Sequence, residues 1–442
     1  MAQLLVSLDP RAAFLGAATW HGSLEPAEAI LQAHPELAGS DIHTAAVLGD
    51  AAAVRRYLER DPAAVRTKSG PYDIDPLVYL CLSKYLRLDA SRTPGFLQAA
   101  EALLDAGADP NSGFWNDGEF ETALYGAAGV AHHARLTRLL LERGADPTDG
   151  EVVYHSPETW DAGNDAMKLV VETGKLAPDD LVLMLIRKHD FHDYEGAQWL
   201  LEHGADPNHG SSRWPRPIHH ALVRDNSLAM IGLLLDHGAD PTLTKDGMTA
   251  IARAAREGRS DVLELFHQRG ISIELEGLDR LIAACAMGDG AAARAIVERE
   301  PQLAAELRDL GGELLAKFAG TDNPAGVRVL LDLGVDVAAP FSAGDGYHGQ
   351  PKDSLAIHVA AWRARPAVVK LLLERGSPVD LPDPKGRTPL ALAVRACVDS
   401  YWMERCSPES IERLLQAGAN VAAVPFPTGH PEVDNVLRKY RG

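Results

Sequence analysis

The chain of 442 residues is poor in cysteine, in aromatics and in long apolar runs. Its four cysteines, Cys81, Cys285, Cys397 and Cys406, show neither metal-ligand nor disulfide-framework spacing, so all four are expected as reduced thiols in a cytoplasmic protein. No apolar run approaches the roughly 20 residues that a membrane span needs. Met1–Leu8 is apolar, but Asp9 and Pro10 interrupt it and no basic segment precedes it, so no signal peptide is expected. Basic residues are outnumbered 43 to 62, leaving a formal charge of −19. That acidic balance argues against a nucleic-acid backbone or an anionic membrane as partner. There is no Walker loop, no Gly-x-Gly-x-x-Gly after a strand and no nucleophile elbow, and no cofactor is expected. No polar linker is long enough to separate domains.

What is abundant is repetition. Gly-Ala-Asp-Pro occurs four times, starting at Gly107, Gly144, Gly204 and Gly238. Each copy follows a leucine-rich helix end, as in Leu139-Leu140-Leu141 and Leu233-Leu234-Leu235. Weaker copies start at Gly334, Gly376 and Gly418. A recurrence every thirty-odd residues means stacked units rather than one globular core. Upstream of each leucine-rich helix lies a shorter alanine-rich one, clearest at Thr388-Pro389-Leu390-Ala391 and Pro217-Ile218-His219-His220-Ala221. Thr caps such a helix, Pro suits its first turn, and Ala lets neighbouring helices approach. Gly then ends the outer helix in a left-handed cap, and Asp-Pro turns the chain away.

This layout resembles the ankyrin repeat, whose pattern contains Thr-Pro-Leu-His-x-Ala-Ala and ends in Leu-Leu-x-x-Gly-Ala-Asp. The resemblance covers nearly the whole chain and implies an all-α solenoid of about twelve helix-turn-helix units. Inner helices are expected to start near Ala13, Ile42, Pro76, Ala123, Val152, Leu181, Pro217, Ala250, Arg280, Glu313, Ala356 and Pro389. The solenoid is expected over 1–424, with its faintest stretch, and any bend or break, at 300–320. Residues 425–442 are expected to cap the last unit.

In such a stack the inter-repeat loops and inner-helix starts form one concave face. Here they are rich in side chains suited to binding: Tyr72, Asp73 and Asp75; Trp115, Asp117, Glu119 and Glu121; Tyr154 and His155; Trp214 and Arg216. Tyr125, Trp160 and His219 join them as binding candidates. Aromatic and charged loop tips make binding hot spots. His43, His219 and His358 occupy the repeat's usual histidine slot, where the ring bonds neighbouring backbone. Asp75 and Glu151 stand where Thr normally caps, and Glu is the poorer cap. No metal spacing is present, and no metal is assigned.

The family resemblance implies molecular recognition through the concave face, with a protein as first-choice partner and a small molecule or glycan second. The alternative is an enzyme, or a small-molecule or carbohydrate binder, with an acid/base carboxylate pocket in the groove of repeats 3–7. In that case Glu121, Glu151 and His155 would be catalytic, because carboxylates from adjacent repeats reach the roughly 5–10 Å that paired-carboxylate chemistry uses.

Overall fold

The computed structural model describes residues 9–158, 163–401, 403 and 406–441. It is mostly helical and divides into two compact units, one up to Pro217 and one from Ile218 onward.

Within each unit, helices succeed one another in pairs, several of them a short helix before a longer one. In the first unit Ile42–Leu48 is followed by Ala51–Arg60, Pro76–Cys81 by Thr93–Asp105, and Gly150–His155 by Asp165–Glu172. Short helix packs on short helix and long on long: Ile42–Leu48 lies against Pro76–Cys81, and Ala51–Arg60 against Thr93–Asp105. The second unit repeats the scheme, with Ala250–Arg256 against Gly277–Ala286 and Ala356–Trp362 against Pro389–Val398. Paired alanines hold these contacts close. Ala45, Ala127, Ala128, Ala254, Ala255, Ala360 and Ala361 are all fully buried.

The glycine-ended signature has a local cause. Gly107 and Gly204 adopt φ 92 and 102, a left-handed conformation that a side chain strains, and the other five glycines of the series do likewise. The residue after the glycine sends its N–H back to the last helical turn, Ala145 to the Leu140 carbonyl and Ala205 to the Leu200 carbonyl, each at 3.0 Å. The Asp then turns the chain through its own side chain. Asp109, Asp146, Asp206 and Asp240 each accept the backbone N–H two residues on, at 2.8–2.9 Å. Pro sits between donor and acceptor, with no N–H to satisfy. One motif therefore ends a helix and starts the next loop.

The faint stretch near 300–320 holds an additional helix. Gln302–Asp309 is inserted between Gly290–Arg299 and Gly311–Gly320, which dilutes the periodicity. After Val421–Ala423, Pro431–Arg441 packs on Glu409–Gln416, burying Val433, Val436 and Leu437 at helical spacing. No described helix is long and apolar enough to cross a membrane.

The thiols divide. Cys81 and Cys285 are free and buried, as expected from their inner-helix positions, and burial pushes the Cys285 thiol up to about 12. The expectation of four reduced thiols fails for the other two. Cys397 lies in the last turn of Pro389–Val398 and Cys406 stands 5.2 Å from it, Cα to Cα, and the two form a disulfide.

Candidate functional site

Three of the expected binding residues, Trp115, Asp117 and Glu119, lie with Glu121 on one β-hairpin in the first unit. Strands β1 (Gly113–Asn116) and β2 (Glu119–Thr122) pair antiparallel, Trp115 opposite Phe120 and Phe114 opposite Glu121. The tight turn is Asp117-Gly118, both with positive φ (48 and 95), as a two-residue type I′ loop demands. Strand alternation then sends side chains to two faces. Trp115 and Phe120 share one, ring centroids 5.3 Å apart, and stay 73% and 38% exposed. Phe114 and Glu121 share the other and are buried. Shallow recesses of about 490 and 560 Å³ flank the hairpin, and Trp115 and Phe120 line both.

Behind the inner face stands an aromatic cluster. The Trp20 ring centroid lies 5.9 Å from Phe114, 6.1 Å from Tyr125 and 6.4 Å from Tyr72. Trp20 reaches there from the first helix pair, at φ 72, with its N–H on the Leu82 carbonyl at 2.9 Å. Tyr125 in turn lies 5.3 Å from the His155 ring.

Two glycines permit this closeness. Ala123–Tyr125 runs into a π-helical turn, Gly126–Val130. A Cβ on Gly129 would stand 2.8 Å from the His155 Cβ, and one on Gly126 would stand 2.9 Å from the Cys81 carbonyl carbon. Both distances are shorter than real contacts, so glycine at these two positions sets the spacing of three inner helices.

The polar groups are ordered around His155. Its Nδ1 lies 2.9 Å from Glu158 Oε1 and its Nε2 3.3 Å from Glu151 Oε2. Arg187 Nη2 donates to Glu158 at 2.6 Å and Nη1 to Asp190 at 2.7 Å, while the guanidinium stacks 4.1 Å over the Tyr154 ring. Asn116 Nδ2 donates to Glu121 Oε1 at 2.9 Å, and Glu121 Oε2 is buried without a hydrogen-bond partner among the described residues. Burial pushes the Glu121 carboxyl above its usual range, the Asn116 bond opposes this, and the charge of Glu151 adds to it. Burial also raises Glu151, against the nearby His155. His132, buried in the adjacent turn, is pulled down to about 4 by loss of hydration.

The remaining candidates lie away from the hairpin's exposed face. Asp75 is buried and caps Pro76–Cys81, accepting from the Val78 N–H at 3.1 Å. Its neighbour is the Ser112 hydroxyl rather than Glu119 or Glu121, and burial raises its carboxyl. Tyr72 is half-buried in the aromatic cluster, and Asp73 is exposed at a positive-φ turn. Trp214 is half-buried, with the Arg213 guanidinium 4.9 Å over its ring. Arg216 donates to the Asn208 carbonyl. His219, in the second unit, is buried with Nε2 3.0 Å from the Met248 carbonyl, as His43 and His358 bond the Thr67 and Leu381 carbonyls. Those three rings tie each repeat to the next loop. Trp160 lies outside the described residues. Trp20, Phe120, Glu158 and Arg187 complete the site and were not foreseen. Of these, Phe120 alone had a readable signal, its position opposite Trp115 across an Asp-Gly turn.

Residues 181–277 match the family described as ankyrin repeats (3 copies). This stretch of the chain is therefore ankyrin-repeat structure, and it includes the Gly204 and Gly238 endings and the His219 tie. The chain is also similar to BCL-6 corepressor-like protein 1 of Homo sapiens, 46% identical over 79 residues. That similarity covers 18% of this chain and 4% of the human protein.

Proposed function

We propose that this protein is a protein-interaction module whose principal contact is the β1–β2 hairpin of the first unit. The repeats are read as extending beyond 181–277 to the other helix pairs of both units, with Pro431–Arg441 covering the last of them. The observation that carries the functional reading is the Trp115–Phe120 pair. A tryptophan left 73% exposed on a strand whose hairpin is fixed by a two-residue turn presents apolar surface to water. Such a side chain is what a partner's pocket takes as an anchor. Ankyrin repeats, as a fold, commonly serve protein recognition, which fits the same reading.

The surroundings indicate the partner's chemistry. Asp109, Asp117, Glu119, Asp146 and Glu151 stand on or beside the hairpin, within a chain of net charge −19. A partner presenting an apolar pocket rimmed by lysine or arginine fits this surface, since complementary charge speeds and orients docking. Glu151, half-buried above His155, belongs to that acidic rim. The matched relatives bring no activity to Glu121, Glu151 and His155, and no reaction is assigned to them.

The test starts from partners crosslinked to the full chain and then measured pairwise. Trp115→Ala and Phe120→Ala should each weaken binding by about 2 kcal/mol, roughly thirtyfold, with unchanged melting temperature. Unchanged affinity in both variants refutes the hairpin as the contact.

A further inference from the structure

The second unit contains a cavity of about 330 Å³ that the hairpin reading does not use. One wall is apolar, made by Ala316, Phe341 and Val359, which form a small buried cluster. Much of the remaining lining is polar, and its charges cancel locally. Lys317 Nζ lies 3.0 Å from Glu257 and 2.9 Å from Glu313. Arg363 pairs with Asp225, and Asp345 holds His348 Nδ1 at 2.7 Å. The Arg224 guanidinium lies 4.1 Å over the Tyr347 ring at the rim. With four cationic side chains (Arg224, Arg253, Lys317, Arg363) facing four carboxylates (Asp225, Glu257, Glu313, Asp345), the lining has no net attraction for an anion or a cation.

What remains is hydrogen-bonding capacity. Gln350 is 3% exposed, lines the cavity, and neither its Oε1 nor its Nε2 has a hydrogen-bond partner among the described residues. Its backbone is fixed by two bonds with Asp345, N to O and O to N, both 2.8 Å. A buried carboxamide with both ends unused costs stability, and natural cores seldom leave one. Arg253 Nε, on the same lining, is likewise without a bond. A carboxamide offers a donor and an acceptor side by side. Its complement is another group with acceptor and donor side by side, a primary amide or a lactam. The apolar wall fits a ring, and the volume falls in the range of small-molecule sites.

We propose that this cavity binds a small, uncharged ring compound through an amide or lactam edge, read by Gln350 with Arg253 Nε as an additional donor. The ring lies against Ala316, Phe341 and Val359. This site does not depend on the hairpin, so Trp115→Ala leaves it intact.

The test uses the full chain titrated with benzamide and nicotinamide, with benzoate and benzylamine as charged analogues of the same size. Wild type should bind both amides with Kd on the order of 1 mM or tighter, and the charged analogues at least about tenfold more weakly. Gln350→Met keeps the volume and removes both polar atoms. It should weaken amide binding about tenfold or more without lowering the melting temperature, because a buried unpaired group is lost. Arg253→Lys keeps the charge, removes the Nε donor and should weaken binding about threefold or more, a check independent of Gln350. The proposal is overturned if neither amide saturates the protein by about 10 mM, if benzoate or benzylamine binds as well, or if both variants bind like wild type.

Discussion

The β1–β2 hairpin has a shorter counterpart in the second unit. Strands β3 (Thr244–Lys245) and β4 (Met248–Thr249) also follow a Gly-Ala-Asp-Pro ending and also turn on Asp-Gly, Asp246-Gly247, at φ 52 and 77. Both hairpins end in a threonine that caps the next inner helix, Thr122 to the Tyr125 N–H at 3.0 Å and Thr249 to the Ala252 N–H at 3.1 Å. Aligned on those caps, Phe114–Glu121 corresponds to Lys245–Met248. The longer hairpin then has two further rungs, Trp115–Phe120 and Asn116–Glu119. The short form does only what the repeat needs: it turns the chain and caps a helix. The added rungs contribute nothing to that task, yet they carry the exposed aromatic pair and the Asn116 bond to Glu121. Function in a repeat protein is expected to sit in such departures, because the shared part is already explained by stacking.

The strongest way to break this comparison is to erase it. Deleting Trp115, Asn116, Glu119 and Phe120 converts the long hairpin to the length of the short one while keeping Asp117-Gly118 and Thr122. Partner binding should fall by about a hundredfold or more, since two adjacent anchors are lost together. The melting temperature of the full chain should change little. If the shortened protein unfolds, the two rungs are structural and the division between scaffold and contact is wrong.

A second test changes the residue before the first cap. Glu121 is buried with one oxygen unpaired, whereas Met248 at the matching position is an apolar side chain whose carbonyl receives His219. The folded-state pKa of Glu121 is raised, so its protonated form is favoured on folding. A raised carboxyl leaves stability intact below the unfolded value, near 4.5, and loses it as pH climbs through the folded value. Glu121→Gln should therefore stabilise the protein by about 1 kcal/mol at neutral pH and by almost nothing at about pH 3.5. Thermal melts across that range measure it. A pH-independent gain would trace the effect to packing instead of ionisation.

The same pair of hairpins shows what sequence could reveal. The seven glycine endings were legible because the motif is local: the left-handed residue, the Asp that bonds two residues on and the Pro that cannot continue the helix all lie within a few positions. The Asp-Gly turns are equally local, but strands of four residues or fewer give too weak a pattern to announce the hairpins around them. The convergence of Glu121, Glu151 and His155 on one neighbourhood followed from repeat spacing. Trp20 joining Phe114 and Tyr125 did not, because nothing near Trp20 in the chain announces contacts a hundred residues away. Gly126 and Gly129 were visible as letters, but their role appears only once Cys81 and the His155 Cβ stand against them. The disulfide of Cys397 with Cys406 brings together two residues nine positions apart, and the spacing, which pointed to four reduced thiols, gave no sign of it.

The smallest expected effect concerns the caps themselves, where the two hairpins look most alike. Removing a threonine N-cap costs about 1 kcal/mol, through the helix N–H left without its acceptor. Thr249→Ala should show about that loss. Thr122 has a second commitment: its hydroxyl donates to Asp149 Oδ2 at 2.6 Å, and Asp149 is itself the cap of Gly150–His155, accepting from the Glu151 N–H at 2.9 Å. The hydroxyl thus joins two consecutive caps, and burial already raises the Asp149 carboxyl. Thr122→Ala strips a hydrogen bond from a charged, half-buried acceptor as well as from its own helix. Bonds of that type contribute roughly 1.5–3 kcal/mol, reduced here by the partial exposure of Asp149. Thr122→Ala should therefore cost about 1 kcal/mol more than Thr249→Ala in denaturant melts of the full chain. Thr122→Ser, which keeps the hydroxyl, should recover most of the difference. Equal losses from the two alanine variants would mean that the Thr122–Asp149 bond adds no stability, and that the long hairpin is tied to the scaffold no more firmly than the short one.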